Sequence, residues 1–259
     1  VSRVVKAVVF FDLDGTLLQD DKSLAPETLM ALRQLQENAV LPVIATGRNR
    51  FEIQYILDQT GIDTLVAANG SYVQVAGRRL FAEVLPQSLI RAVTDYAAAL
   101  GDPVGWYNEA GFALSAENAD THENYQLLHL TPHVDPQWPA HHEVNFMFVF
   151  DRGRDAQLQH AFAQQLSLVR NNPRGLDTML AGVSKKTGIQ RLLADPTLVG
   201  VPTYAFGDAA NDLPMLQLVD HPVAMGNGSD AAKHTAEFVT TSNMAGGIVN
   251  GLAHYQLLG

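Results

Sequence analysis

Hydrophobic positions in this chain fall into three textures, and each predicts a different kind of element. From Val4 to Phe11 the residues are apolar and mostly β-branched or aromatic, with Lys6 as the one charged interruption, as expected of a strand buried on both faces. Gly15 marks the turn that ends it. Leu24-Ala25-Pro26-Glu27 then opens a helix with Pro26 at its first position, Leu29, Leu32 and Leu35 forming the apolar stripe, and Ala25 offering no side-chain cap. Because Pro42 interrupts the next apolar run, the second strand is expected at Val43 to Ala45. A helix from Phe51 to Gln59 and a third strand from Thr64 to Ala68 follow, each strand ending on polar residues: Asp12 and Asp14, Thr46-Gly47-Arg48, and Asn69-Gly70. Strand, helix, strand in this order predicts right-handed βαβ units.

From Ser71 the periods change. Tyr72 to Val75 and Arg79 to Phe81 alternate around Gly77 as a hairpin, and Leu89 to Leu100 reads as an amphipathic helix. Short β-like pieces lie between Trp106 and Leu114, and Asn118 to His129 reads as helix. Three prolines and three histidines between Thr131 and His142 predict an ordered surface loop. Glu143 to Phe150 alternates strictly, predicting an antiparallel strand with a polar face near its start. A helix from Asp155 to Leu166 and β-rich sequence through Arg170 and Met179 complete this part.

At Val183-Ser184-Lys185 the first texture returns. Thr187 to Leu193 is expected as helix, Thr203 to Phe206 as a buried strand, and Gly207-Asp208-Ala209-Ala210-Asn211-Asp212 as the turn at its end. Leu213 to Leu218 reads as helix, Val223 to Met225 as strand, Ser229 as a helix N-cap and Gly247 to Tyr255 as a last helix. The expected fold class is α/β: a doubly wound, mainly parallel Rossmann-like core sheet from residues 1–81 and 183–259, with an α+β domain inserted at 82–182.

Composition narrows the partners. With 17 Lys plus Arg against 27 Asp plus Glu, the net charge of -10 would repel a polyanion, and no basic run appears, so nucleic acid is not an expected partner. The chain of 259 residues has no cysteine, hence no disulfide framework, thiolate metal site or thiol nucleophile, which fits a reducing compartment. The first apolar run is too short for a membrane span and has no signal-peptide cleavage pattern, so the expectation is a cytoplasmic protein without membrane contact.

Acids at strand ends are common turn and capping residues, and Asp12-Leu13-Asp14-Gly15 alone would admit that reading. It does not stand alone. Thr46, Lys185, Asp208, Asn211 and Asp212 are all expected at the same sheet edge, where open α/β sheets bind ligands. Three converging carboxylates without Cys or a local His suit a hard cation, most simply Mg²⁺. A phosphate group is the natural companion of that ion, together with Lys185, the Thr46 hydroxyl and turn amides. In that chemistry Asp12 attacks phosphorus to form an aspartyl-phosphate, and Asp14 protonates the leaving oxygen and later activates water.

These residues carry a resemblance. Asp12-Leu13-Asp14-Gly15-Thr16-Leu17, Thr46-Gly47-Arg48, Lys185 and Gly207-Asp208-Ala209-Ala210-Asn211-Asp212 resemble the four motifs of the haloacid-dehalogenase-like hydrolases, specifically the Cof-type phosphatases with a large inserted α/β cap. Asn69-Gly70 and Ala224-Met225-Gly226-Asn227 also match that subgroup. The resemblance covers both core segments closely and the cap by size and position. It implies Mg²⁺ held by the Asp12 carboxylate, the Asp14 backbone carbonyl and Asp208, with Asp212 supporting it nearby. It implies phosphate contacts from the Leu13 amide, Thr46, Gly47, Lys185 and Asn211. The implied substrate is a small phosphorylated metabolite; sugar phosphates, pyridoxal phosphate and flavin mononucleotide all fit. Lys186 stands where the subgroup usually has glycine and Gly228 where it has alanine, and neither removes a catalytic group.

Two rival functions use similar parts. A phosphomutase or phosphotransferase would hand the same aspartyl-phosphate to a sugar hydroxyl, and the core motifs do not separate it from a hydrolase. A phosphate-sensing receiver module would need its phosphoacceptor after the third strand, where Asn69 stands and cannot serve. Arg48 admits two readings, contact with a substrate anion or ion pairing at a helix start. His129 and His133 have helical ligand spacing, but Pro132 between them argues against one face. Trp106, Tyr107, His122 and Tyr125 are either cap core or leaving-group contacts. Oligomeric state is open.

Overall fold

The computed structural model describes residues 4–259, and the first three residues of the expected core segment lie outside them. The chain divides into two compact units. One runs as far as Arg48 and then takes in Glu52–Phe81 and Ser184–Gly259; the other takes in Asn49–Phe51 and Ala82–Val183.

The first unit is built on an eight-stranded sheet. Its first strand, β1 (Ala7–Phe11), is buried at every position. The strand starts after Lys6, because the charged residue and Val4 stay exposed and only the apolar remainder is covered on both faces. Helix α1 (Pro26–Glu37) has Pro26 in its first turn and no side-chain cap on Ala25, and it buries Thr28, Ala31, Leu32 and Leu35. Strand β2 spans Val40–Ala45, three residues earlier than the proline suggested, with Pro42 registered against Val9. Proline is tolerated there because pairing with β3 (Leu65–Ala67) begins only at Ile44, so the other side of β2 is an open edge at Pro42. Helix α2 (Gln54–Thr60) precedes β3, preceded by a tight turn at Arg50–Ile53 in place of the expected first helical turn. Strands β4 (Tyr72–Val75) and β5 (Arg78–Ala82) follow, joined by Ala76 and Gly77, both at positive φ, the twist that a two-residue hairpin requires.

The second unit begins with α3 (Gln87–Ala99), β6 (Val104–Tyr107), β7 (Phe112–Leu114) and α4 (Ala119–Leu127), the last opened by reciprocal Asn118–Thr121 capping bonds. The stretch expected as a loop carries one helical turn, α5 (Trp138–His141), entered through Pro139. Strand β8 (Phe146–Val149) lies between β6 and β10, antiparallel to both, and all four of its residues are buried. Of the polar face expected near the start of this run, Glu143 is exposed while Asn145 is buried, and from Val144 onward both faces of the strand are covered. Helix α6 (Asp155–Phe162), β9 (Leu166–Asn172) and β10 (Gly175–Leu180) complete a five-stranded antiparallel sheet in the order β7-β6-β8-β10-β9. Its core is a separate cluster around Val93, Trp106, Met147, Leu158 and Leu176.

Back in the first unit come α7 (Lys185–Leu193), β11 (Thr203–Gly207), α8 (Leu213–Leu216), β12 (His221–Ala224), α9 (Asp230–Thr235), β13 (Phe238–Val239) and α10 (Gly247–His254). The sheet order is β13-β12-β11-β1-β2-β3-β4-β5. All pairs from β13 to β3 are parallel and β3 with β4 is antiparallel. The fold is thus mixed α/β with a mainly parallel core sheet and a separate antiparallel sheet. Among the described residues no helix is long and apolar enough to cross a membrane.

Two glycines let α7 lie directly on the β3–β4 turn. Gly70 has φ +97°, and a Cβ on it would stand 2.0 Å from the Ser184 carbonyl oxygen; one on Gly188 would stand 2.5 Å from Val66. Ser184 caps α7, whose first residue is Lys185, so this packing sets where the lysine emerges. Gly70→Ala is expected to destabilise the protein by about 2 kcal/mol or more through backbone strain and overpacking. Urea unfolding measures it, and a loss below about 0.5 kcal/mol, the range of an ordinary surface change, would contradict the packing described.

Candidate active site

Strand register brings the polar turns to one edge. Phe11 is paired with Ile44 on one side and Phe206 on the other, so Asp12, Thr46 and Asp208 leave the sheet together. The Asp12 amide donates to the Phe206 carbonyl at 3.0 Å and holds the chain to β11 one residue beyond the strand. β1 also sits where the chain order reverses, between β11 and β2, which is the crevice position of a doubly wound sheet.

Lys185 ties the acids together. Its ammonium, 1% exposed, donates to Asp12 Oδ1 at 2.5 Å and to Asp212 Oδ1 at 2.6 Å. The other Asp212 oxygen accepts the Asp208 and Ala209 amides at 2.9 and 3.1 Å, which fixes that carboxylate and shapes the turn carrying Asp208. Asp208 is held in turn by the Thr16 hydroxyl, 2.8 Å from its Oδ1. One carboxylate oxygen from each of Asp12, Asp208 and Asp212 lies within 4.8 Å of the others. Burial, and then the charge of Asp212, push the Asp12 carboxyl well above the usual carboxylate range against the pull of Lys185. Asp208 is also raised, chiefly by burial, with the Thr16 hydroxyl opposing. Burial alone would lower the Lys185 ammonium, but Asp12 and Asp212 raise it, so it stays charged.

Asp14 faces a different environment. Immediately after it the chain bends through Gly15 at φ +76°, where a Cβ would stand 2.5 Å from Asp208 Oδ2. Arg48 grips Asp14 with Nε on Oδ2 at 2.8 Å and a terminal nitrogen on Oδ1 at 2.5 Å. Lys22 adds its ammonium to Oδ1 at 2.8 Å. Burial pushes Asp14 upward, but the Arg48 fork and Lys22 outweigh it and hold the carboxyl below its usual range. The two acids of one motif are therefore driven in opposite directions by their surroundings.

The remaining expected residues surround these. Thr46 is buried, its hydroxyl accepting the Arg48 amide at 3.1 Å and its carbonyl the Asn69 amide at 3.1 Å. Gly47 lies against Asn69, whose φ of +52° is the left-handed conformation asparagine tolerates. Leu13 has a fully buried side chain between the two acids, and Asn211 sits half-buried in the turn Ala210–Asp212. Of the two readings of Arg48, ion pairing is the one realised in this structure.

Sequence reasoning missed several residues that build the site. Thr16 lies inside the first motif, and a hydroxyl four positions after one acid and two after the next was its available signal. Lys22 and Asn243 gave none. Asn227 donates to the Gly15 carbonyl at 2.8 Å and accepts the Asn243 amide at 3.0 Å, while Asn243 donates to the Leu18 carbonyl at 3.0 Å. Together they brace the turn that carries Asp14. In the second unit Trp106, Tyr107 and Tyr125 are core, with the Tyr107 and Tyr125 hydroxyls bonded to each other. His122 is exposed near Glu117. His129 and His133 lie beyond the end of α4 and share no helical face.

Comparison with known proteins places this arrangement. The profile of the haloacid dehalogenase-like hydrolases matches residues 9–252. The HMP-PP phosphatase of Serratia proteamaculans is 32% identical over 233 residues, covering 84% of this chain and 82% of that protein. The 5-amino-6-(5-phospho-D-ribitylamino)uracil phosphatase YcsE of Bacillus subtilis is 24% identical over 252 residues, 96% of each chain. A crystal structure of a protein from Geobacillus kaustophilus superposes with a TM-score of 0.89 at 33% identity, covering 97% of this chain and 99% of that one.

Proposed function

Because the chain belongs to the haloacid dehalogenase-like hydrolases and is a phosphoric monoester hydrolase, we propose that it cleaves a small phosphorylated metabolite through an aspartyl-phosphate at Asp12. Relatives named for HMP-PP and for a phosphorylated ribitylaminouracil support that substrate class. The observation that carries the mechanism is the bridging of Asp12 and Asp212 by the buried Lys185 ammonium.

The donor set fits a divalent cation. Asp12, Asp208 and Asp212 bring three formal negative charges and Lys185 returns one, so two remain in a buried cluster of oxygen donors without Cys or His. Mg²⁺ is the simplest match. Asp12, Asp208 and the Asp14 carbonyl would hold it, Asp212 would orient the group from behind, and the ion would supply positive charge against the phosphoryl oxygens. Both oxygens of Asp212 already accept N–H donors, which suits that supporting task.

The chain's own residues then divide the work. Asp12, held by Lys185 and the Phe206 carbonyl, is the nucleophile toward phosphorus. Lys185 counters the charge of the incoming phosphoryl group and of Asp12 together, which lets two anionic groups meet. Thr46, Gly47, Asn211 and the Leu13 amide orient phosphoryl oxygens. Asp14, once clear of the Arg48 and Lys22 charges that keep it ionised, takes up a proton, gives it to the leaving oxygen, and then accepts the proton of the attacking water.

A panel of phosphorylated metabolites assayed for released phosphate, with Mg²⁺ and after removal with a chelator, tests the reading. Release from at least one compound, lost on chelation and restored by Mg²⁺, is expected. No release from any compound would sink it, and transfer to an acceptor hydroxyl without free phosphate would establish the phosphotransferase alternative.

A further inference from the structure

The charges around Asp14 do not balance. Arg48 already occupies both oxygens of that carboxylate, a complete bidentate pairing. Lys22 then adds a second cation to an oxygen that is already paired. Two cations against one carboxylate leave a formal surplus of +1 beside the anionic cluster of Asp12, Asp208 and Asp212. The neighbouring acids keep their charge but pair with neutral donors and not with either cation: Asp20 Oδ1 accepts from Asn243 at 3.0 Å, and Asp21 Oδ1 accepts from Ser23 Oγ at 2.6 Å.

Lys22 is also placed at a cost. Its φ is +68°, a left-handed conformation that a lysine adopts at about 1 kcal/mol. The loop enforces it. Gln19 N–H donates to the Ser23 carbonyl at 2.9 Å, Lys22 N–H to the Gln19 carbonyl at 2.9 Å, and the Tyr55 hydroxyl to the Lys22 carbonyl at 3.1 Å. Glycine would relieve the strain, yet the position carries an ammonium that reaches the site. A strained residue whose side chain points at reacting groups is a sign of function.

Resting on the reading of Asp14 as proton carrier, we propose that Lys22 and Arg48 form a seat for a second anionic group of the substrate, a carboxylate or phosphate close to the phosphoryl group that is transferred. Asp14 is the seat's internal occupant. When its carboxylate turns to the leaving oxygen, a planar fork and an ammonium are left facing one space, a combination suited to either anion. The side chains of Lys22 and Arg48 are 53% and 18% exposed, so an entering group can reach both. Substrates with one isolated phosphate would leave the seat unfilled, which makes it a determinant of specificity.

Titration calorimetry at fixed free Mg²⁺ tests this with ethylphosphonate, phosphonoacetate and methylenediphosphonate. On the wild type, at least one of the two doubly anionic compounds should bind about tenfold more tightly than ethylphosphonate, equal to roughly 1.4 kcal/mol. Which one does so tells carboxylate from phosphate. Lys22→Met should bring that ratio to about one and Lys22→Arg should restore it. A wild-type ratio near one, or a ratio that Lys22→Met leaves intact, overturns the proposal. Because the readout is binding, a tenfold wild-type preference that Lys22→Met abolishes, found without phosphate release in the metabolite panel, would overturn the phosphatase mechanism and uphold the seat.

Discussion

Asp12→Asn is expected to reduce phosphate release by at least about a thousandfold, since an amide cannot form the acyl-phosphate. The fold should survive it. Asparagine has the same shape, and its oxygen can still accept from Lys185. Asp12 is pushed upward by burial and Asp212, so its folded value lies above the unfolded one. Such a group contributes stability that is fully present below about pH 4, its unfolded value, and that is lost as pH rises toward its folded value. The variant lacks this loss. Urea midpoints measured without divalent cation should therefore favour Asp12→Asn over wild type by a margin that widens from pH 4 to neutrality. Activity within about tenfold of wild type would show that another group attacks phosphorus.

Lys185→Met is expected to be the most damaging single change to the core site. It leaves Asp12 and Asp212 buried at 6% and 0% exposure without their shared counter-charge. Removing one partner of a buried ion pair costs about 3–5 kcal/mol, and here one ammonium serves two acids. Urea unfolding at several pH values checks the cause as well as the size. Without the ammonium the Asp12 carboxyl is raised further, so the deficit should shrink as the pH is lowered toward 4 and Asp12 takes a proton in the folded state. A deficit that does not change with pH would point to lost packing of the lysine stem instead. Loss of activity is expected at every pH, and added Mg²⁺ should recover part of the stability without recovering turnover.

Much of the fold follows from local pattern. The run before Asp12 announces a doubly covered strand, Pro26 and Ser229 mark helix starts, and Gly77 marks a hairpin. The errors fall where tertiary surroundings override a local rule. Pro42 lies inside β2 because one side of the strand is open there, and β8 loses its alternation because both of its faces are covered. The two-residue β13 and the single turn of α5 are too short for any period to register.

The residues of the candidate site were legible because their types are unusual together at strand ends: two acids around Leu13, a Thr-Gly-Arg turn, one lysine before a helix and an acid-rich turn after β11. By itself the sequence determined that carboxylates, a threonine and a lysine would arrive at one sheet edge, because burial and strand direction are written into residue type and order. Only the tertiary structure decided which charges meet. Lys185 lies 173 residues from Asp12 in the chain, and Arg48 lies 34 from Asp14. No periodicity links such positions; strand register, the close seating of α7 on Gly70, and the strained loop at Lys22 do. These tertiary contacts push Asp12 upward and hold Asp14 low.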